Sequence, residues 1–203
     1  NLTKANMIKS LRPGVLLYAP GRGGSYSNFA FDLLAVALAS AGKKPYETLL
    51  RERVLAPIGL TGTAYAPTAA QRTNLFQGHG FDGKPLPDGP TSIMMQGAGG
   101  LYSTPKDILR WMAWHLDTHA AKDAETRLLS HAAYVQRDGL TPVYGLDEAG
   151  PMDAMGLGWV VMLPKGNRPF ILQKSGVLNG IICYVAFSPT RGVAVFIAIN
   201  EFN

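Results

Sequence analysis

"ILQKSGVLNGIICYVAFSPTRGVAVFIAIN", residues 171–200, alternates apolar β-branched and aromatic runs with turn signals. "PFILQK", "IICYVAFS" and "GVAVFIAI" are separated by "SGVLNG" and "PTRG", and "GLGWVVML" stands before them across "PKGN". Runs of this length, rich in Val, Ile, Phe and Tyr and bounded by Gly, Pro and Asn, read as strands. Sequential strands with short links form an antiparallel meander. The chain therefore closes on a sheet.

Upstream the texture is helical. Thr3 caps a short helix that "RPG" stops, and "VLLYAPGRGG" gives an extended piece and a turn. "FAFDLLAVALASA", residues 29–41, is apolar on nearly every side with Asp32 its only charge, so it reads as a central buried helix with Asn28 at its N-cap. Gly42 ends it; "KKPYETLLRERVLAPIGL" starts another with Pro45 in its first turn, Leu49, Leu50 and Val54 inward, and "PIG" as its stop. Residues 61–100 show no helical period and are expected to form a long excursion with one or two short strands. Ser103 or Thr104 caps "PKDILRWMAWHL", and a further helix spans about Ala124 to Gln136.

Helices first and sheet last is an α+β order. It divides the chain into a mainly helical lobe with long loops, 1–154, and an antiparallel sheet portion, 155–203. A sheet of this kind calls for helices on both faces, and none follows the last strand, so the chain reads as truncated.

Composition narrows the function. Hydrophobic residues make up 47% and charged ones 16% of 203 residues, enough apolar matter for one generous domain or two lobes sharing a cleft. The net charge of +5 is spread thinly, with no basic cluster longer than Lys43-Lys44, which argues against nucleic acid as a partner. Cys183, the only cysteine, rules out an internal disulfide and reads as a buried small hydrophobe. No apolar run reaches the length of a membrane span.

Chemistry concentrates in two stretches. Tyr26-Ser27-Asn28 stands where a glycine-rich loop meets a helix, and Lys174-Ser175-Gly176 ends a strand just before a turn. The second triplet alone carries little weight. Together they are two of the three elements of the penicillin-recognising serine hydrolases, in the right order and on the right kinds of structure; the third is a Ser-x-x-Lys nucleophile. With "LLYAPGRGGSYSNFAFDLLAVAL", "LLRERVLAPIGLTGTAY", "GAGGLYSTPKDILRWM" and "SGVLNGIICYVAFSPTRGVAVFIAIN", the chain resembles the class C β-lactamase and low-molecular-mass penicillin-binding protein family along nearly its whole length.

The resemblance implies a β-lactamase-like two-lobed fold, with an all-α lobe beside an antiparallel sheet and the site in the groove between them. It implies that Tyr26 acts as general base or proton shuttle and that Asn28 binds a substrate amide carbonyl. A helix N-terminus and a nearby ammonium both favour phenolate over phenol. The competing reading has Tyr26 anchoring a loop and Asn28 serving as an ordinary cap. Lys174 would pair with a substrate carboxylate or support Tyr26, Ser175 would donate a hydrogen bond, Gly176 would leave room for an acyl chain along the strand edge, and the Val177 N–H would supply an oxyanion donor. Leu178 and Asn179 stand where family members carry smaller residues and so narrow the expected pocket.

The nucleophile is the departure. Ser40-Ala-Gly-Lys43 closes a helix instead of opening one, and Ser103-Thr-Pro-Lys106 matches the family's structural helix start. The catalytic serine is therefore expected in an N-terminal segment of the same protein upstream of this chain. The resulting expectation is a periplasmic serine hydrolase acting through an acyl-enzyme on β-lactams or peptidoglycan D-Ala-D-Ala peptides, with no cofactor, no metal and no membrane span. A catalytically inactive penicillin-fold binding or regulatory domain, or a related carboxylesterase, is the alternative. His115 and His119 in "HLDTH" lack the zincin glutamate and read as solvent-facing, while Trp111 and Trp114 are expected in the core.

Overall fold

The C-terminal meander forms as the alternation requires. In the computed structural model, which describes residues 3–11, 14, 16–88 and 96–200, β5 (Val160–Met162), β6 (Ile171–Leu178), β7 (Ile181–Ser188) and β8 (Val193–Ile199) pair antiparallel in that order. Two short strands extend the sheet beyond β5: β4 (Ala154–Met155), then β2 (Val135–Gln136), giving the order β2-β4-β5-β6-β7-β8. The sheet thus draws strands from before residue 155. Asn179 and Gly180, with φ of 48° and 76°, link β6 to β7, the pair of positive φ values that an Asn-Gly hairpin turn supplies. This turn lies later than expected, so Lys174-Ser175-Gly176 sits within β6 and not at its end.

Register fixes what each face carries. Ala154, Val161, Leu172, Phe187 and Ala194 are successive cross-strand partners, and the first four are almost fully buried. Helix α6 (Pro105–Leu116) covers this row with Trp111 and Leu116, its Trp111 ring stacking on Trp159 at 5.4 Å. Val161, Leu172 and Phe187 each contribute about 1.5–3 kcal/mol by leaving water. On the opposite face Val193, Val195, Ile197 and Ile199 of β8 are all about half exposed, so helices cover one face of the sheet among the described residues.

Thr104 caps α6 by accepting from the Asp107 N–H at 3.2 Å, and Thr3 caps α1 (Lys4–Ser10) in the same way. Helix α2 (Asn28–Gly42) differs from expectation twice. Its cap is Ser27, whose hydroxyl accepts from the Ala30 N–H at 3.1 Å, so Asn28 is the first helical residue. It is also not enclosed: only Asp32 and Ala35 are buried, while Phe31, Leu34 and Leu38 are 42–50% exposed. The buried side is the one with the charge. There the loop at Gln96–Ala98 presses on the helix, the Ala98 N–H donates to Asp32 at 2.9 Å, and a Cβ on Gly97 would lie 2.1 Å from the Phe31 carbonyl oxygen.

The next helix runs as α3 (Tyr46–Leu50), a wider π turn over Arg51–Leu55 and α4 (Ala56–Ile58), ending at Gly59 with φ 78°. Pro57 follows the wide turn, as fits a ring that clashes with the carbonyl four residues back. Leu55 is its buried residue, whereas Val54 is 36% exposed. The expected strands of 61–100 reduce to isolated bridges, Ala64 with Tyr102 and His79 with Pro85, plus the one-turn α5 (Ala69–Arg72) behind a Thr68–Gln71 capping box; residues 89–95 lie outside the described ones. Helix α7 (Ala124–His131) stops short because Tyr134 donates its N–H to the Met155 carbonyl at 2.8 Å and Val135–Gln136 join the sheet.

The histidines correct another expectation. His119 is exposed, but His115 is 3% exposed, and its Nδ1 lies 2.9 Å from Nε2 of His131. Phe187 stacks on His115 at 4.7 Å, and Arg127, buried beside the pair, holds its guanidinium 5.2 Å above the Trp114 ring. Burial, then the His131 and Arg127 charges, push His115 down to about 3, and His131 is lowered by the same kinds of cause.

An imidazole neutral when folded and titrating near its ordinary value when unfolded adds stability that is whole above about pH 6.5 and is lost as pH falls toward 3. Between pH 7 and pH 5 the His115 contribution should fall by about 2 kcal/mol. Urea denaturation at the two pH values should show that loss in the native chain and a smaller one in His115→Leu; equal losses would refute the neutral buried imidazole.

Candidate active site

Tyr26 is held by its backbone. Strand β1 (Gly24–Ser25) pairs in parallel with β3 (Val143–Tyr144), the Gly24 N–H donates to the Pro142 carbonyl and the Tyr26 N–H to the Tyr144 carbonyl, both at 2.9 Å. Ser27 then turns the chain into α2, so the phenol of Tyr26 and the amide of Asn28 leave from a fixed corner. Both side chains are exposed and make no hydrogen bond among the described residues.

Lys174 arrives from the sheet. Two residues past Leu172 on β6, it inherits the face that packs against the helices. Its ammonium lies 5.1 Å from the centroid of the Tyr26 ring and donates to the Ser175 carbonyl. Burial lowers the Lys174 pKa, and the Glu148 carboxylate opposes that shift. A cation over a ring face gains from the ring quadrupole, which offsets part of its lost hydration.

The strand edge beside Lys174 is open. β5 pairs with β6 only over Ile171–Gln173, so Lys174–Leu178 has no partner strand on that side among the described residues. Gly176 has nothing within 4 Å of where a Cβ would stand, and Val177 is 62% exposed. Ser175 lies on the other face, with Gln173 and Val177, and its hydroxyl is unengaged among the described residues. Asn179 is in the hairpin turn, where its carbonyl abuts Gly78 so closely that a Cβ there would lie 1.9 Å away. Tyr26, Asn28, Lys174 and the edge from Ser175 to Val177 are the sequence-derived residues at issue, and the Tyr26–Lys174 contact is the junction between them.

The Ser-x-x-Lys matches lie elsewhere. Ser40 accepts from Lys4 at 3.0 Å near the far end of α2, about 18 Å along the axis from Asn28 at the helical rise. Ser103 bonds Thr63 at 2.8 Å before α6. Each borders a cleft, of 390 Å³ at Lys4, Ser40 and Lys43 and of 320 Å³ at Gln71, Tyr102 and Ser103. Neither cleft contains the Tyr26–Lys174 pair, whose contact is what joins the two motifs.

Sequence analysis assigned no role to the segment from Arg137 to Gly150. It supplies β3 against Tyr26 and sets Glu148 nearby. At Gly145, with φ 65°, a Cβ would lie 3.1 Å from Tyr26 Cβ and 3.6 Å from Glu148 Oε1.

A helical portion against an antiparallel sheet, with a tyrosine–lysine pair where they meet, defines the class of the serine β-lactamase-like fold. The family model described as beta-lactamase matches residues 2–203, and the chain belongs to that family. Within it, the chain is 38% identical over 199 residues to the D-alanyl-D-alanine-carboxypeptidase/endopeptidase AmpH of Escherichia coli K12, covering 98% of this chain and 51% of that protein. It therefore spans about half the length of the curated relatives it matches.

A β-lactamase/D-alanine carboxypeptidase of Yersinia pestis, solved with citrate, superimposes with TM-score 0.85 at 39% identity over 98% of this chain and 56% of that one. The D-alanine carboxypeptidase AmpC of Burkholderia cenocepacia shares the fold, with TM-score 0.81 at 24% identity, over all of this chain and 63% of that one.

Gly145→Ala should destabilise the chain by more than Gly192→Ala. Both positions have positive φ, 65° and 66°, which costs an alanine about 1 kcal/mol, but only at Gly145 would the new methyl meet Tyr26, since Gly192 faces open space. Chemical denaturation of the two variants measures the difference, and equal losses would show that the turn does not press on Tyr26.

Proposed function

We propose that this chain supplies the tyrosine, asparagine and strand walls of a serine hydrolase that acts through an acyl-enzyme on β-lactams or D-Ala-D-Ala peptides in the periplasm. The observation that carries the reading is the ammonium of Lys174 5.1 Å from the Tyr26 ring centroid, joining two motifs 146 positions apart, from residue 28 to residue 174. The D-alanyl-D-alanine carboxypeptidase of Escherichia coli and the β-lactamase/D-alanine carboxypeptidase of Yersinia pestis to which the chain is similar support it.

Each residue has a task in this reading. Tyr26 takes the proton from a serine hydroxyl as it attacks the acyl carbonyl, then passes it to the leaving nitrogen. The Lys174 charge stabilises the phenolate during that transfer. Asn28 donates its amide N–H to the substrate's side-chain carbonyl, and the free edge of β6 receives the acyl chain as an added strand. The Val177 N–H donates to the carbonyl oxygen as it gains negative charge. Ser175 donates a hydrogen bond to the bound substrate. The attacking serine belongs to neither Ser-x-x-Lys match, because Ser40 and Ser103 stand on elements away from the groove. No helix among the described residues is long and apolar enough to cross a membrane.

The full-length gene product should be covalently labelled by a fluorescent penicillin, and Tyr26→Phe should slow labelling by about a hundredfold or more, the usual worth of a general base. Mass spectrometry of the adduct locates the serine. Unchanged labelling in Tyr26→Phe removes the phenol from the chemistry, and an adduct on Ser40 or Ser103 overturns the placement of the nucleophile.

A further inference from the structure

The segment from Arg137 to Gly150 is a strap across the Tyr26 corner. Besides the β1–β3 pairing, the Thr141 N–H donates to the Arg22 carbonyl at 2.6 Å. Farther on, Arg137 pairs with Asp147 at 3.1 Å and the Gly150 N–H donates to the Asp147 carbonyl at 3.3 Å. The strap then crosses to the other face of the sheet, where a Cβ on Gly150 would lie 3.5 Å from Nε2 of the buried Gln173. Glu148 stands between these anchors. Asp147 is committed to Arg137, whereas the Glu148 carboxylate is exposed and makes no hydrogen bond or ion pair among the described residues. Its Oε1 and the Cβ of Tyr26 approach the same point above Gly145, at 3.6 and 3.1 Å.

We propose that Glu148 is a specificity-determining residue, a fixed negative charge at the rim of the Tyr26–Lys174 groove that disfavours anionic acyl donors relative to neutral ones. This rests on the groove being the substrate site. The Glu148 field reaches the Lys174 ammonium, since it opposes the shift that burial imposes there. A substrate carboxylate drawn to Lys174 must share that ammonium with Glu148 and meets its repulsion; a neutral substrate meets neither. Among the described residues the other titratable groups facing Lys174 are Tyr26, beneath the ammonium, and Cys183 on β7, opposite Gly176 on the same face. Burial raises the Cys183 pKa, which keeps its thiol neutral, and a Tyr26 phenolate is common to the native and Glu148→Gln proteins, so the difference between them reads the Glu148 charge alone.

The test compares a penicillin carrying its free carboxylate with the methyl ester of the same compound on the full-length protein. In Glu148→Gln the second-order acylation constant of the carboxylate form, taken relative to that of the ester, should rise about threefold, the scale of an exposed charge interaction. The difference should shrink in 0.5 M salt. Equal changes for both compounds, or none for either, overturn the proposal.

If the wild-type protein is acylated by neither compound, the hydrolase reading falls, and Glu148 is judged on Lys174 directly. In protein with ¹³C-dimethylated lysines, the Lys174 resonance, identified by its loss in Lys174→Arg, should titrate at lower pH in Glu148→Gln than in the wild type. An unchanged titration overturns the proposed charge coupling. A shift upholds the coupling without the hydrolase.

Discussion

A lysine on the inward face of a sheet is the constraint on which the site depends. The period of two along β6 gives Lys174 the same side as Leu172, and Leu172 is fully buried in the row that α6 covers. The ammonium cannot follow the apolar row into the core, and it does not return to the outer face. It ends at the boundary, where the Tyr26 ring and the Ser175 carbonyl receive it. A slip of one residue in the β5–β6 register would exchange Lys174 for Ser175 at that boundary. The pairing of Val161 with Leu172 therefore fixes the Tyr26–Lys174 contact from a distance.

Much of this was legible because it is local. Turn residues and β-branched runs marked β5 to β8, and Thr3, Thr104 and Gly59 announced helix ends whose hydrogen bonds or φ angles carry them out. Local signals also erred in local ways. Ser27, one residue earlier than Asn28, took the cap because either side chain can accept from a first-turn N–H. Asn179-Gly180 carried a clear hairpin signature, yet the strand before it was cut at Lys174 because Ser-Gly resembles a turn in isolation.

What was not legible is tertiary. The apolar run of α2 foretold burial on every side, but apolar composition does not say which neighbours arrive; in this chain the loop at Gln96–Ala98 covers the Asp32 side, and the backbone donor it brings explains why a carboxylate is the buried group. His115 looked solvent-facing at a helix end, and became buried because His131 supplied a partner from another helix. The two-residue parallel pairing of β1 with β3 joins segments more than a hundred positions apart and has no sequence signature. Tyr26 could thus be named from its motif, while the strap that fixes its backbone could not.

The electrostatics of the groove follow from that strap. A lysine withdrawn from water between a sheet and a ring loses hydration, and a ring face together with one carbonyl replaces only part of it. A carboxylate in full contact would restore the ammonium but would also occupy it, leaving no charge for an incoming group. Glu148, set back on a loop anchored through Tyr144 and Asp147, acts at a distance instead: it lifts the Lys174 pKa against burial without forming an ion pair. Among the described residues the Lys174 ammonium is thus sustained by a remote charge and not by a paired carboxylate.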